Sequence, residues 1–382
     1  MNLLMLGVGA TGLDDPRSEP VQRHLEYARR LGGHIDLIVD SPRPMRIEHG
    51  PGLRVWTTGA GRMAYIARAT RLAMQAALDR HPDLITTQDP FLTAYVGLRL
   101  RRRLRRPVII QNHSSFLGEP YWVRERPVVY HGLRELARAL LHRADGWRVV
   151  NAREREYYVE RLRLPADRVR VLPVPCRIEP FLVDPAPSEV ERRRAELGLS
   201  ETDKVMLWVG RPVRVKRLPI LFSVFERVRV EHSGARLVLV GDPSLLAHEE
   251  RHTPLPQGAA WAGQVAFEDL PAYYTLADVF VLTSRYEGFG RVLVEAGAAA
   301  RPAVATATAG ARDIIRHGET GFLAPVEDSQ AMAGHVRTVL AAPAQAQALG
   351  RAARQHVRAA FDPGSAYDAI VDHWREVAQR RP

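Results

Sequence analysis

Two glutamates with seven residues between them, Glu287 and Glu295, lie in the segment Arg285-Tyr-Glu-Gly-Phe-Gly-Arg-Val-Leu-Val-Glu-Ala-Gly297. The apolar run 279–284 before it reads as a strand, so the whole reads as strand, glycine-rich turn, helix. Gly288 and Gly290 let the backbone approach a ligand closely, and the free amides opening the helix at Arg291 favour phosphate oxygens. Helical side chains lean towards the amino end, so Glu295, about one turn in, reaches back to hydroxyls of the same ligand. An anion at a helix end with a polyol beside it describes a nucleotide. The neighbours of Glu295 are Val292, Leu293, Val294 and Ala296, and a carboxylate in such company needs a partner. Glu287, taken alone, is as readily an exposed turn residue as a ligand-binding one.

A second constellation, Val209-Gly-Arg-Pro-Val-Arg-Val-Lys-Arg217, comes after another apolar run. Arg211 as a planar fork and Lys216 as a point charge suit a diphosphate. A solvated basic loop is the plainer alternative. Two facts weigh against it: the loop sits at a strand end, and Lys204 and Lys216 are the only lysines among 54 basic residues. There is no Asp-x-Asp sequence to hold a metal–diphosphate complex. The expected device for the leaving group is therefore Arg, Lys and a helix end, with no metal and no cofactor.

The elements that must position these residues alternate. Strands are expected over 2–7, 34–40, 84–88, 108–112, 146–151 and 168–174, with helices over 19–31, 62–80, 91–106, 128–143 and 153–163 between them. This is a βαβ series. Prolines 173, 175, 180, 185 and 187 mark a linker, and a second series has strands near 205–210, 236–241, 279–284 and 303–306. Both series read as doubly wound α/β domains whose strand ends face a ligand cleft. The expected divisions are 1–178, 179–362 and a terminal helix 363–382 with an apolar face of Tyr367, Ile370, Val371, Trp374 and Val377.

The net charge of +11 is carried by the first half: up to Pro180 there are 30 basic and 19 acidic residues, afterwards 24 and 24. That asymmetry points to an anionic partner on the first domain or to an arginine-rich background. Arg99, Arg101, Arg102, Arg103, Arg105 and Arg106 end a helix, where cations favour the dipole. They read as peripheral contact with an anionic membrane; the cluster brings no base-stacking aromatics, so nucleic acid is not expected. The single Cys176 excludes a disulfide framework and fits a reducing compartment. Residues 1–12 read as a buried strand, not a signal segment, and no run approaches the ~20 apolar residues of a membrane span. The expected location is cytoplasmic, peripheral at the inner membrane face.

Together these motifs resemble the family-4 glycosyltransferases, retaining enzymes of the GT-B fold, over nearly the whole chain. The glutamate pair matches Glu287 and Glu295, and the basic pair matches Arg211 and Lys216. The runs Arg301-Pro-Ala-Val-Ala-Thr, Ala309-Gly-Ala-Arg-Asp-Ile-Ile and Gly318-Glu-Thr-Gly-Phe-Leu323 resemble the segments downstream of the glutamate pair in that family. The resemblance implies two Rossmann-like domains facing across a cleft, with a C-terminal helix crossing back to the first. It implies transfer of a sugar from a UDP- or GDP-sugar to an acceptor such as a glycan, a lipid-linked glycan or a small phosphorylated molecule. Arg211 and Lys216 would stabilise the leaving diphosphate, Glu295 would bind the ribose, and Glu287 with the amides of Gly288, Phe289 and Gly290 would hold the donor sugar. Arg291 and Val265 join the nucleotide side. In the first domain, His113 of Gln111-Asn-His-Ser-Ser115 resembles the family histidine near the reacting carbon. Asp89 resembles an acceptor-side residue, and 114–127, with Tyr121 and Trp122, an acceptor loop.

Gly7, Gly9 and Gly12, with Asp40 closing the next strand, suggest a dinucleotide fingerprint and hence an NAD-dependent dehydrogenase. Gly12, however, is succeeded by Asp14, Asp15 and Pro16, not by a helix opening inside the glycines. A glycan phosphorylase would need a cofactor lysine that the chain does not spare. A sugar-nucleotide epimerase of similar fold is the alternative reading.

Overall fold

The computed structural model describes residues 1–59, 62–246 and 253–380. It divides into two units, Met1–Pro175 with Gly364–Pro382, and Cys176–Pro363. The chain passes from the first to the second within the proline-rich segment. Residues 381 and 382 of the expected terminal segment lie outside the described residues.

The first unit is built on an eight-stranded sheet. Its strands are β1 (Leu3–Leu6), β2 (Ile35–Val39), β3 (Arg46–His49), β4 (Leu53–Thr57), β5 (Leu84–Thr87), β6 (Val108–Asn112), β7 (Gly146–Val149) and β8 (Val169–Val171), in the order β3-β4-β2-β1-β5-β6-β7-β8. All pairings are parallel except β3 with β4. Both faces of β1 are covered: Leu4 and Leu6 join one core and Leu3 and Met5 the other. A run of four apolar residues without alternation is what such double burial requires.

The terminal helix Pro363–Ala378 belongs to this unit. Its Ile370, Val371, Trp374 and Val377 are buried with Tyr27, Leu31 and Ile109, and the Trp374 ring lies 4.9 Å from that of Tyr27. Gly146 at the start of β7 makes room for it, since a Cβ there would lie 2.7 Å from Val377.

Strands β3 and β4 are absent from the periodicity reading. Strand β4 reads Leu-Arg-Val-Trp-Thr, and its charged second residue hides it. Arg54 is nevertheless buried, because its guanidinium meets Asp36 at 2.5 Å and Asp79 at 3.0 Å. A buried charge that is paired and hydrogen-bonded is tolerated where an isolated one is not.

The second unit has a six-stranded, wholly parallel sheet: β9 (Lys204–Val209), β10 (Ala235–Val240), β11 (Ala259–Gly263), β12 (Val279–Leu282), β13 (Ala303–Thr306) and β14 (Gly321–Ala324), in the order β11-β10-β9-β12-β13-β14. The edge strands β11 and β14, which are short and contain glycine, are again ones that periodicity does not show. The order reverses between β9 and β12, which pair directly through Met206↔Val279 and Leu207↔Phe280. Ligands of such sheets bind outside the carboxyl ends at that point of reversal. The loops that leave β9 and β12 carry both motifs singled out from the sequence.

Candidate functional site

Direct pairing of β9 with β12 brings two segments some seventy positions apart in the chain into one place. Arg285 donates its backbone N–H to the Val215 carbonyl at 2.8 Å, and the Thr283 hydroxyl donates to the Lys216 carbonyl at 2.8 Å. These bonds fix the turn Arg214–Lys216 against the glycine-rich loop. Across the junction the Lys216 ammonium donates to Glu287 Oε2 at 2.6 Å, and the Ser284 hydroxyl donates to the same oxygen at 3.1 Å. Both members of the pair are partly exposed, with side-chain accessibilities of 16% and 19%. The pair is thus in contact with solvent and is not a core ion pair. Arg211, exposed on the same loop, has no ion-pair partner among the described residues.

The glycine-rich loop is shaped from below. Gly290 takes φ +94°, where a side chain would be strained, and opens the helix Arg291–Ala298. That helix has a glycine N-cap, which brings no capping side chain, and its first turn holds no acid, so the positive end of the helix suits an external anion. Gly310 holds the loop in position: it donates its N–H to the Glu287 carbonyl at 3.0 Å, and a Cβ there would lie 2.2 Å from the Phe289 oxygen. Phe289 itself is buried against Phe361. Gly288 is buried and Arg291 half-buried at the same turn.

Glu295 is buried at 5% exposure, and the Tyr274 hydroxyl donates to its Oε2 at 2.9 Å. Burial, and then the adjacent carboxylate, raise the Tyr274 hydroxyl well above its ordinary titration range, so it stays a donor. The partner that Glu295 requires is thus supplied by the protein. Tyr274 was not legible as a site residue, since the helix Leu270–Leu276 that carries it shows no motif. Ser284 and Gly310 were likewise missed. Val265 lies just past β11 on the carboxyl edge, half-buried and two strands away from β9.

In the first unit, His113 comes directly after β6 and is exposed. The loop it opens is tied to one buried carboxyl group, Glu154: Asn112 Nδ2 donates to Oε1 at 2.7 Å, and the N–H groups of Leu117 and Gly118 donate to Oε1 and Oε2 at 3.2 and 3.3 Å. Burial pushes the Glu154 pKa up to about 8, outweighing the two amides. Gln111 is fixed by the buried Arg148, whose guanidinium donates to Oε1 at 2.7 Å.

Two of the expected acceptor-side residues have local structural roles. Asp89, half-buried, accepts from the Phe91 N–H at 2.7 Å and the Thr93 hydroxyl at 2.6 Å, fixing the start of the helix Leu92–Leu104. Trp122 is buried and stacked on Tyr130 at 4.5 Å, with Phe91 and Phe116 beside it, so it builds the 114–127 segment from within. The glycines at 7, 9 and 12 form no dinucleotide fingerprint: the first helix begins only at Glu19, and the Asp40 carboxylate accepts the Gly9 N–H. An aspartate already occupies that amide, and the helix end that should face a pyrophosphate is not beside it.

The chain is similar to known glycosyltransferases in both halves. Residues 189–356 match the family described as Glycosyl transferases group 1, and residues 21–178 match Glycosyltransferase Family 4. The chain is 28% identical to a glycogen synthase of Mycobacterium tuberculosis over 339 residues, covering 86% of this chain and 77% of that protein. It is also 28% identical to a D-inositol 3-phosphate glycosyltransferase of Kineococcus radiotolerans over 407 residues, covering 94% and 90%. Among solved structures, sucrose-phosphate synthase from Thermosynechococcus elongatus superposes with a TM-score of 0.82 at 26% identity, over 99% of both chains. Anabaena HepE, solved with UDP and glucose, shares the fold at a TM-score of 0.78 and 19% identity, over 98% of this chain and 100% of that one. With both halves matched in order and the paired motifs meeting at the sheet's point of reversal, the chain belongs to the family-4 glycosyltransferases and is a glycosyltransferase of the GT-B fold.

Proposed function

We propose that the chain moves a hexose from a UDP- or GDP-linked donor to a glycan, lipid-linked glycan or small phosphorylated acceptor, with retention at the anomeric carbon and without a metal ion. The observation that carries this reading is the Lys216–Glu287 pair beside the glycine-led start of the helix Arg291–Ala298. In the reaction the bond from the anomeric carbon to the diphosphate oxygen breaks, a bond to the acceptor oxygen forms, and the acceptor proton leaves with the diphosphate. Negative charge therefore grows on the diphosphate, and groups aimed at it act chiefly in the transition state. Arg211, Lys216 and the helix end fill that role. Glu295, oriented by Tyr274, takes the ribose hydroxyls, and Glu287 with Gly288 and Gly290 takes the sugar. Arg291, Phe289 and Val265 complete the nucleotide side, and His113 serves the reacting carbon from the first unit. On donor binding, Lys216 exchanges Glu287 for the diphosphate, and Glu287 becomes available to sugar hydroxyls.

Release of nucleoside diphosphate from UDP- and GDP-sugars in the presence of EDTA tests this reading, with the first-formed product tracked by NMR. The expected result is release with the donor's anomeric configuration kept. Release that requires a divalent metal, or an inverted product, contradicts it. Among the described residues no helix is long and apolar enough to cross a membrane.

A further inference from the structure

The first unit carries a second concave site, at the amino-terminal edge of its sheet. Where β6, β7 and β8 begin, a cavity of about 710 Å³ is lined by six arginines and one aspartate. Arg99, Arg101, Arg102 and Arg103 come from the helix Leu92–Leu104, Arg143 from the turn after Pro127–Leu141, and Arg168 from the residue entering β8. The aspartate is already engaged: Asp145 accepts from Arg101 at 2.8 and 2.7 Å and from the Val108 N–H at 2.9 Å. Among the described residues, the other five arginines have no carboxylate partner.

An arginine-rich composition does not account for this. Several arginines elsewhere on the same unit are matched by acids, as in Arg23–Glu19, Arg29–Glu26 and Arg138–Glu135, and those that are not do not converge from separate elements on one cavity as these do. The helix dipole favours cations in the last turn of Leu92–Leu104, but it gives no reason for Arg143 and Arg168 to arrive at the same cavity from separate elements. Like charges gathered in a concavity repel one another, and a bound anion relieves the cost. Guanidinium forks match the oxygens of phosphate in pairs. Tyr95 and Leu98 add a less polar wall.

We propose that this cavity binds a multiply charged phosphate group, either a soluble oligophosphate or the headgroup of an anionic lipid, as a ligand that is held and not transformed. It is separate from His113, because the five residues of β6 lie between the two edges, roughly 17 Å at about 3.3 Å per residue. This proposal does not depend on the donor assignment.

The test uses the full chain and the double variant Arg103→Gln/Arg168→Gln. Binding of inorganic tripolyphosphate is measured by calorimetry, and binding to vesicles of phosphatidylcholine alone or mixed equally with phosphatidylglycerol by sedimentation, at physiological ionic strength. The expected result is that wild type binds tripolyphosphate or the phosphatidylglycerol vesicles, and that the variant binds the same probe at least about tenfold more weakly. The melting shift given by UDP or GDP should be the same in both proteins, which separates this site from the donor site. Tripolyphosphate binding alone identifies a soluble ligand, and vesicle binding that requires phosphatidylglycerol identifies a lipid. The proposal is overturned if neither probe binds, if the variant keeps wild-type affinity, or if a single-stranded oligonucleotide binds this surface in preference to both.

Discussion

Lys216 and Glu287, 71 positions apart, meet at 2.6 Å at the point where the order of the second unit's sheet reverses. Each carries a charge that a donor sugar can use, and in the fold each satisfies the other. The pair is mostly buried but still in contact with solvent, so the cost of desolvating the two charges offsets much of their attraction. On the proposed reading, its role is to keep an ammonium and a carboxylate in position until a diphosphate and a sugar separate them.

Replacing Lys216 or Arg211 by Ala should therefore cost turnover far more than stability. Losing one donor to developing charge costs about 2.7 to 4 kcal/mol, or roughly a hundred- to a thousandfold in rate. Donor consumption by each variant, at matched folded fraction from a melting curve, measures this. Wild-type turnover in Lys216→Ala would show the chain's second lysine to be an accident of composition.

Glu287→Ala and Glu295→Ala should separate. The first is expected to slow turnover more than it weakens bare nucleoside diphosphate, the second to weaken the nucleotide itself. Tyr274→Phe should share the second pattern and also lower stability by about 1 to 3 kcal/mol, because it removes a hydrogen bond from a buried carboxylate. Calorimetric titration with UDP or GDP beside rate measurements distinguishes the profiles; identical profiles for the two glutamate variants would contradict the assigned roles.

Gly310→Ala inserts a methyl group 2.2 Å from the Phe289 oxygen. The 287–290 loop has to move, at a cost of about 1 to 3 kcal/mol, and nucleotide affinity should fall with it. Gly334→Ala, inside the helix Ser329–Ala341 where nothing lies within 4 Å, is the control: it should leave nucleotide affinity unchanged and raise stability by about 0.5 to 1 kcal/mol.

Glu154 makes stability depend on pH in a direction unusual for a carboxyl group. Its folded pKa, about 8, lies above its unfolded value near 4.5, so the folded state binds the extra proton. The stability this provides is complete below the unfolded value and is lost as pH rises through about 8. Glu154→Gln should thus match the wild type near pH 4.5 and exceed it progressively towards pH 9, as read from urea midpoints across that range. A constant difference at all pH values would mean that the carboxyl is ionised in the fold.

What the sequence made legible was whatever local pattern controls. The central strands are continuous apolar runs, and the motif loops leave β9 and β12, so their meeting could be argued from chain order. Strand β4 was hidden because Arg54 is buried by virtue of Asp36 and Asp79, partners 18 and 25 positions away. Tyr274 was hidden for the same reason: its relation to Glu295 exists only after folding. Asp89 and Trp122 are ambiguous in the opposite way, since the types that suit an acceptor site also suit a helix start and an aromatic cluster. The convergence of Arg143 and Arg168 on the arginines of Leu92–Leu104 has no trace in sequence spacing at all.

The central claim is that Arg, Lys and a helix end hold the diphosphate in place of a metal, and the most direct test is the melting temperature of wild type and Lys216→Ala with UDP and GDP in excess EDTA. At about 100 times its dissociation constant the correct nucleotide should add roughly 2.7 kcal/mol of stability to the wild type, and the variant should lose most of that gain at the same concentration. A shift that appears only with Mg²⁺ or Mn²⁺, or one of equal size in both proteins, would contradict the account.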